Sequence, residues 1–225
     1  MHDAPLVVAV DGPAAAGKGT LAKRLAHCLG FAYLDTGLLY RAVGARVFAS
    51  GAYSEEAAAR IAGGLTIADL DLHDLRSDRV AVAASKVAAL APVREALLAF
   101  QRHFAAEPPP PAVGAVLDGR DIGSVVCREA TVKLFVTASV AVRADRRLRE
   151  LRDRGLEAIP KRVLQDMKER DARDSSRDTA PLKPAGDAFI LDTTNLGPDA
   201  VFEKALRIVE PRIAAAKHAR QRQTR

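Results

Sequence analysis

The chain has 225 residues, 48% of them hydrophobic and 28% charged, with a formal net charge of +6 and no tryptophan. That length and apolar content suit a single α/β domain with small insertions, and the charge suits an anionic ligand. Nucleic acid is not expected as a partner, because the arginines cluster locally without interleaved aromatic residues. The first apolar run is too short for a signal peptide, and no stretch approaches the roughly 20 apolar residues of a membrane span. Cys28 and Cys127 lack any metal or redox spacing and fit a reducing cytoplasm.

Leu6–Val10 reads as the first buried strand. Directly after it comes Gly12-Pro13-Ala14-Ala15-Ala16-Gly17-Lys18-Gly19-Thr20, which opens the amphipathic stretch Lys18–Leu29. Strand, glycine loop, lysine and helix in that order make a polyphosphate cradle: loop N–H groups and the helix N-terminus favour phosphate oxygens. Lys18 is expected to reach the β- and γ-phosphates. The hydroxyl usual directly after the lysine is replaced by Gly19, with Thr20 one place later. No direct protein ligand for magnesium is therefore assigned, and water and the phosphates are expected to hold the ion. Cys28 is grouped with Leu21, Leu25 and Leu29 as a small core residue, and Gly30 ends the helix.

Four further apolar runs read as buried strands: Phe31–Leu34, Val113–Leu117, Val132–Val136 and Ala188–Leu191. Between them, Val87–Phe104 has helical periodicity interrupted by Pro92. Ser139 is placed to cap a helix to about Arg154, closed by Gly155, and Pro160 suits the first turn of the next. Pro198 begins a last helix with Val201, Phe202, Ala205, Leu206 and Val209 on one side, Pro211 is expected to kink it, and Lys217–Arg225 is read as a frayed basic tail. Alternation of strands and helices predicts a doubly wound parallel sheet, with ligands at the carboxyl ends of its strands.

The polar residues after each strand therefore carry the chemistry. Thr36 is read as a helix cap, with Tyr40 and Arg41 a turn later. Arg41 is either a solvated surface charge or, beside a phosphate loop, a second phosphate clamp. Asp118-Gly119-Arg120-Asp121 is either a structural turn or a holder of magnesium or water. Arg143–Arg154 and Lys168–Arg177 are rich in arginine; in the second, Arg170, Arg173, Asp174 and Arg177 share a face if the segment is helical. These are either a salt-bridged hairpin or a lid that surrounds a transferring phosphoryl group with positive charge.

Taken together, these motifs resemble the bacterial cytidylate kinases among the phosphate-loop nucleoside monophosphate kinases. The resemblance rests on Asp11-Gly12-Pro13 with Gly17-Lys18-Gly19-Thr20, on Leu34-Asp35-Thr36-Gly37 with Tyr40-Arg41, and on Ala84-Ser85 with Pro92-Val93-Arg94. It continues through Asp118-Gly119-Arg120-Asp121-Ile122-Gly123, Lys168-Glu169-Arg170-Asp171, Arg173-Asp174 with Arg177, and Ala180-Pro181-Leu182. The resemblance implies a five-stranded parallel sheet with flanking helices, a monophosphate-binding insertion over about 37–105 and a short helical lid over about 146–178. It implies transfer from ATP, with magnesium, to CMP or dCMP by a cytoplasmic monomer. Ser85, Arg94 and Asp121 are then expected at cytosine, and Arg41, Arg120 and Arg170 at the CMP phosphate. Tyr40, Asp174 and Arg177 fall near the ribose, with Thr36 also on the CMP side, and Arg146 and Arg173 on the ATP side. Lys18, Arg120, Asp121, Arg170 and Arg173 form the expected catalytic set. The stretch between Gly51 and Ser85 is shorter than in family members with extra strands there, so a reduced insertion is expected. A small-molecule kinase with another acceptor and a non-catalytic nucleotide switch are the competing readings; the base-reading set and the surplus of arginines speak against them.

Overall fold

The computed structural model describes residues 5–51, 53–71, 75, 77–177 and 180–223. Five strands, β1 (Leu6–Asp11), β2 (Ala32–Asp35), β3 (Gly114–Gly119), β4 (Val132–Thr137) and β5 (Phe189–Asp192), form one parallel sheet in the order β2-β3-β1-β4-β5. The helices are α1 (Lys18–Leu29), α2 (Thr36–Ser50), α3 (Glu55–Gly63), α4 (Asp78–Val87), α5 (Ala91–Ala106), α6 (Val140–Asp153), α7 (Pro160–Ser175) and α8 (Pro198–Gln223). Central β1 pairs on both sides, with Val8 opposite Val116 and Val132. All residues of β1 and β3 are buried, which is why both read as unbroken apolar runs. Each strand runs one or two residues past its apolar stretch, onto Asp11, Asp35, Gly119, Thr137 or Asp192. The ladder thus continues into the polar carboxyl edge where the loops leave the sheet.

The chain divides into two compact units, Met1–Leu34 with Ala105–Arg225, and Asp35–Phe104. In the first unit, α1 and α8 cover a face of the sheet. Leu21, Ala22, Leu25 and Ala26 join Val201, Ala205, Val209 and Ile213 over Val8, Val10, Val116 and Leu134. Cys28 is exposed, not part of this core. The buried arc of α1 is centred between Leu25 and Leu29, and at 100° per residue Cys28 lies about 80° away from that centre. Helix α8 runs on through Pro211 to Gln223, so Lys217–Gln223, expected as part of a frayed tail, is helical; Ile213, 3% exposed, anchors the helix just before it.

The α6–α7 hairpin belongs to the same unit. Ser139 Oγ caps α6 by accepting from Val142 N–H at 3.3 Å, and Pro160 opens α7. Leu148, Leu151, Val163 and Met167 pack together between the helices, with Ala14 and Ala15 of the glycine loop against them. Because α7 ends at Ser175, Arg177 lies beyond the helix instead of on its face.

The second unit is helical among the described residues. The periodic stretch Val87–Phe104 is two helices, not one: α4 stops at Val87, and Pro92 sits in the first turn of α5, where its missing N–H is harmless. Thr36 is the first residue of α2, and Asp35 holds the capping position without a side-chain cap bond, which corrects the expected Thr36 cap. Gly44 lets α2 approach α4 closely, since a Cβ there would stand 2.8 Å from Ala84 N.

Candidate active site

The glycine loop leaves β1 under tight constraint. Gly12 has φ +145°, and a Cβ on it would lie 1.9 Å from Val136 O on β4, so only glycine fits. Gly17, at φ +93°, occupies the N-cap of α1. Three carbonyls of the loop are each held by a side chain. Lys18 Nζ donates to Pro13 O at 3.0 Å, Arg143 Nη1 to Ala14 O at 3.2 Å, and Thr193 Oγ1 to Ala16 O at 3.1 Å. Trans peptides are planar, so the N–H across each of those bonds points away from its carbonyl's partner. The N–H groups so oriented are those of Ala14, Ala15 and Gly17, and turned-out loop N–H groups of this kind suit an anion.

Lys18 is 7% exposed and lies 3.9 Å from Asp118 Oδ1 at the end of β3. Tyr33 donates its hydroxyl to Asp118 Oδ2 at 3.4 Å. A Cβ on Gly19 would stand 3.2 Å from the same Oδ2. Glycine in place of the usual hydroxyl residue thus keeps open the space beside that carboxylate. Among the described residues no three His, Cys, Asp or Glu side chains gather around a metal position. One carboxylate beside an open gap fits an ion held mainly by phosphate oxygens and water.

Asp11 joins the loop to the turn after β3. Its two oxygens accept from Ile122 N–H and Gly123 N–H, both at 2.7 Å. Burial pushes its carboxyl up to about 7; Asp121 adds to the rise, while the two N–H bonds and Lys18 oppose it.

Arg120, Arg170 and Arg177 converge on Asp174, which is 2% exposed. Arg120 Nε donates to Asp174 Oδ2 at 3.0 Å, and Arg177 Nη2 donates to Oδ1. Burial pushes this carboxyl up, yet the Arg120, Arg177 and Arg170 charges outweigh it and hold the group below the ordinary carboxylate value. Arg146 donates to Thr193 Oγ1 at 2.9 Å and Thr193 O at 2.7 Å, which ties it to the loop through Ala16. Arg173 is exposed on α7.

In the second unit, Arg41 Nη1 donates to Leu75 O at 2.7 Å and Ser77 O at 3.4 Å. Arg94 is 8% exposed, donates to Ala88 O at 3.4 Å and lies 5.7 Å from the centre of the Tyr40 ring. The Ser85 hydroxyl is buried and has no hydrogen-bond partner among the described residues. Thr36 is buried at the start of α2.

Sequence reasoning did not single out Arg143, Thr193, Tyr33 or Asp11 as individual site groups. Thr193 lay in a post-strand segment and Arg143 in an arginine-rich one, but nothing in the spacing separated them from their neighbours.

A strand, an anion-binding glycine loop with a buried lysine, an acid ending a neighbouring strand and an arginine-rich hairpin packed on the loop define a phosphate-loop kinase. A gluconokinase from Sinorhizobium meliloti 1021 has this fold, with a TM-score of 0.50 over 98% of this chain and 99% of that one, at 15% identity. The family model described as Cytidylate kinase matches residues 8–211. The cytidylate kinase of Paramagnetospirillum magneticum is 60% identical over 205 residues, 90% of this chain and 97% of that protein. That of Rhodospirillum rubrum is 54% identical over 206 residues, 91% and 97% of the two chains. The chain belongs to the cytidylate kinase family.

Proposed function

We infer that this chain transfers the γ-phosphoryl group of ATP to CMP or dCMP, giving ADP and CDP or dCDP. The observation that carries the reading furthest is the arginine group on Asp174 in the same unit as the phosphate loop. A nucleotide switch needs the loop alone; a kinase also needs a second cluster of charge for the acceptor phosphate. Phosphoryl transfer asks little covalent chemistry of the protein and much positioning and positive charge.

The Gly12–Thr20 loop seats the donor phosphates, and Lys18 neutralises charge that develops on the β- and γ-oxygens. Arg41, Arg120 and Arg170 hold the acceptor phosphate, with Arg146 and Arg173 on the donor side. Asp174 keeps Arg120 and Arg177 ordered before substrate arrives, and Tyr40, Asp174 and Arg177 serve the ribose. Magnesium, when bound, neutralises charge across the β- and γ-phosphate oxygens. Asp118 is the side chain that fits holding it through water. Ser85, Arg94 and Asp121 read cytosine: a hydroxyl and a carboxylate suit its amino group, and an arginine suits its acceptors. The buried Ser85 hydroxyl, without a hydrogen-bond partner among the described residues, supports this, because such a group costs stability unless a ligand completes it.

We place the enzyme in the cytoplasm as a monomer acting on small molecules. No helix among the described residues is long and apolar enough to cross a membrane. The test is ADP release with ATP and each of CMP, dCMP, UMP, AMP and GMP. Release that depends on CMP or dCMP is expected. ADP formation at one rate whatever the monophosphate would overturn the reading.

A further inference from the structure

Arg143 stands in the first turn of α6 and is 5% exposed. Its guanidinium is committed in three directions. Nε donates to Ala138 O at 2.9 Å, where the chain leaves β4. Nη1 donates to Ala14 O of the phosphate loop at 3.2 Å. Nη1 and Nη2 also grip Asp171 of α7, at 3.1 and 2.5 Å. A planar fork of five N–H donors can serve three acceptors at once; an ammonium on a flexible stem cannot reproduce that geometry.

What Arg143 holds is a constrained piece of backbone. Its bond to the Ala14 carbonyl fixes the Ala14–Ala15 peptide, and Ala15 sits at φ +57°. An L-residue keeps that conformation only where its surroundings impose it. The same peptide plane aims the Ala15 N–H opposite to Arg143. On the far side, Asp171 directly follows Arg170, one of the three arginines that act on Asp174. The apolar contact of Ala14 and Ala15 with the α6–α7 hairpin runs parallel to this ionic link.

We propose that Arg143 and Asp171 are positioning residues through which α7 sets the Ala14–Ala15 peptide, so that removing their pair weakens donor nucleotide binding. The inference rests on reading the loop as the donor's seat. Its consequence is specific: a change on α7, the helix that carries Arg170 and Asp174, alters affinity for ADP when no acceptor is present.

The test compares wild type with Asp171→Asn, Arg143→Lys and the paired variant Arg143→Met with Asp171→Leu. Each is titrated with ADP and magnesium by calorimetry, without any monophosphate, and each is melted. The paired variant removes both charges together, so no buried charge is left alone and the fold is kept. Its ADP affinity is expected to fall by about tenfold or more, the size set by losing charge-assisted bonds, and its melting temperature by a few degrees, because the Ala138 and Ala14 carbonyls lose their donor. Arg143→Lys is expected to lose most of the same affinity, since lysine cannot reach all three acceptors. ADP affinity within about twofold of wild type in the folded paired variant overturns the proposal. Should that variant not fold, Asp171→Asn decides by the same limit, because the amide preserves shape while removing the charge. A wild type that binds ADP but does not phosphorylate CMP refutes the acceptor assignment alone and leaves this inference standing. A wild type that does not bind ADP refutes the donor reading itself.

Discussion

Replacing Asp174 by asparagine removes one negative charge from among guanidiniums and preserves the side chain's shape. The wild-type carboxylate accepts from Arg120 Nε at 3.0 Å through one oxygen and from Arg177 through the other, while Arg170 adds further positive charge. In the variant one oxygen becomes an amide that cannot accept, so one arginine loses its partner. Hydrogen bonds involving charged groups contribute about 1.5–3 kcal/mol. Arg120 and Arg177 side chains are 19% and 10% exposed, so water replaces part of what is lost. The expected destabilisation is about 2 kcal/mol, a melting temperature lower by roughly 4–8 °C for a chain of this size. The pH dependence has a definite sign. A carboxyl whose folded pKa is lowered contributes stability above its unfolded pKa and loses it as pH falls through the folded value. The gap between wild type and variant is therefore full at neutral pH and closes in acid below about pH 4. Calorimetric melts along that range, with and without CMP, make the assay. Because Asp174 also serves the ribose, CMP should raise the variant's melting temperature less than the wild type's. Equal melting temperatures at neutral pH, or a gap that widens in acid, would refute the assignment of Asp174 as the counter-ion that orders the arginines.

Lys18→Ala should keep the fold and cut turnover by about 100-fold or more at saturating ATP and CMP, since one preorganised charge is lost; near-normal turnover would remove the loop from the chemistry. Ala15→Gly should raise stability by about 0.5–1 kcal/mol, because glycine meets φ +57° without strain while giving back some unfolded-state entropy; a lower melting temperature would contradict that balance. Asp11 has a raised folded pKa of about 7, so its stabilising contribution is full below its unfolded pKa and is lost as pH rises to that value. The advantage of wild type over Asp11→Asn in urea unfolding should accordingly be larger at pH 5 than at pH 8, and growth with pH would show that burial does not govern this group.

What the chain reveals by reading depends on the range of the interaction. The glycine loop, α1 and the five strands are legible because their signals are local: an apolar run, a turn residue and a periodic face. Ser139 and Pro160 mark helix starts by side-chain chemistry acting within a turn. Pro92 was legible as an interruption but not as the second start it proved to be. Thr36 and Cys28 misled, since cap position and helix-face edges shift by a single residue. The supports of the loop were illegible for a different reason. Thr193 reaches Ala16 across 177 positions, Arg143 reaches Ala14 across 129, and Asp11 reaches Gly123 across 112. No local pattern ties such pairs together; parallel strands deliver them to one edge only once the sheet has formed. The departure at Gly19, conversely, was visible as a mismatch, and the closeness of Asp118 Oδ2 supplies its physical reason.

The central claim, that this chain is a kinase that reads cytosine, is tested most directly by kcat/KM for CMP against UMP, in wild type and in Asp121→Ala. Uracil presents a carbonyl where cytosine presents its amino group, so the Asp121 carboxylate and Ser85 hydroxyl lose their donor. Each such mismatch costs about 1–3 kcal/mol, or roughly a tenfold to hundredfold preference. The account predicts a wild type that favours CMP by at least about tenfold and a variant in which that ratio shrinks. Equal efficiency with CMP and UMP in the wild type would contradict it.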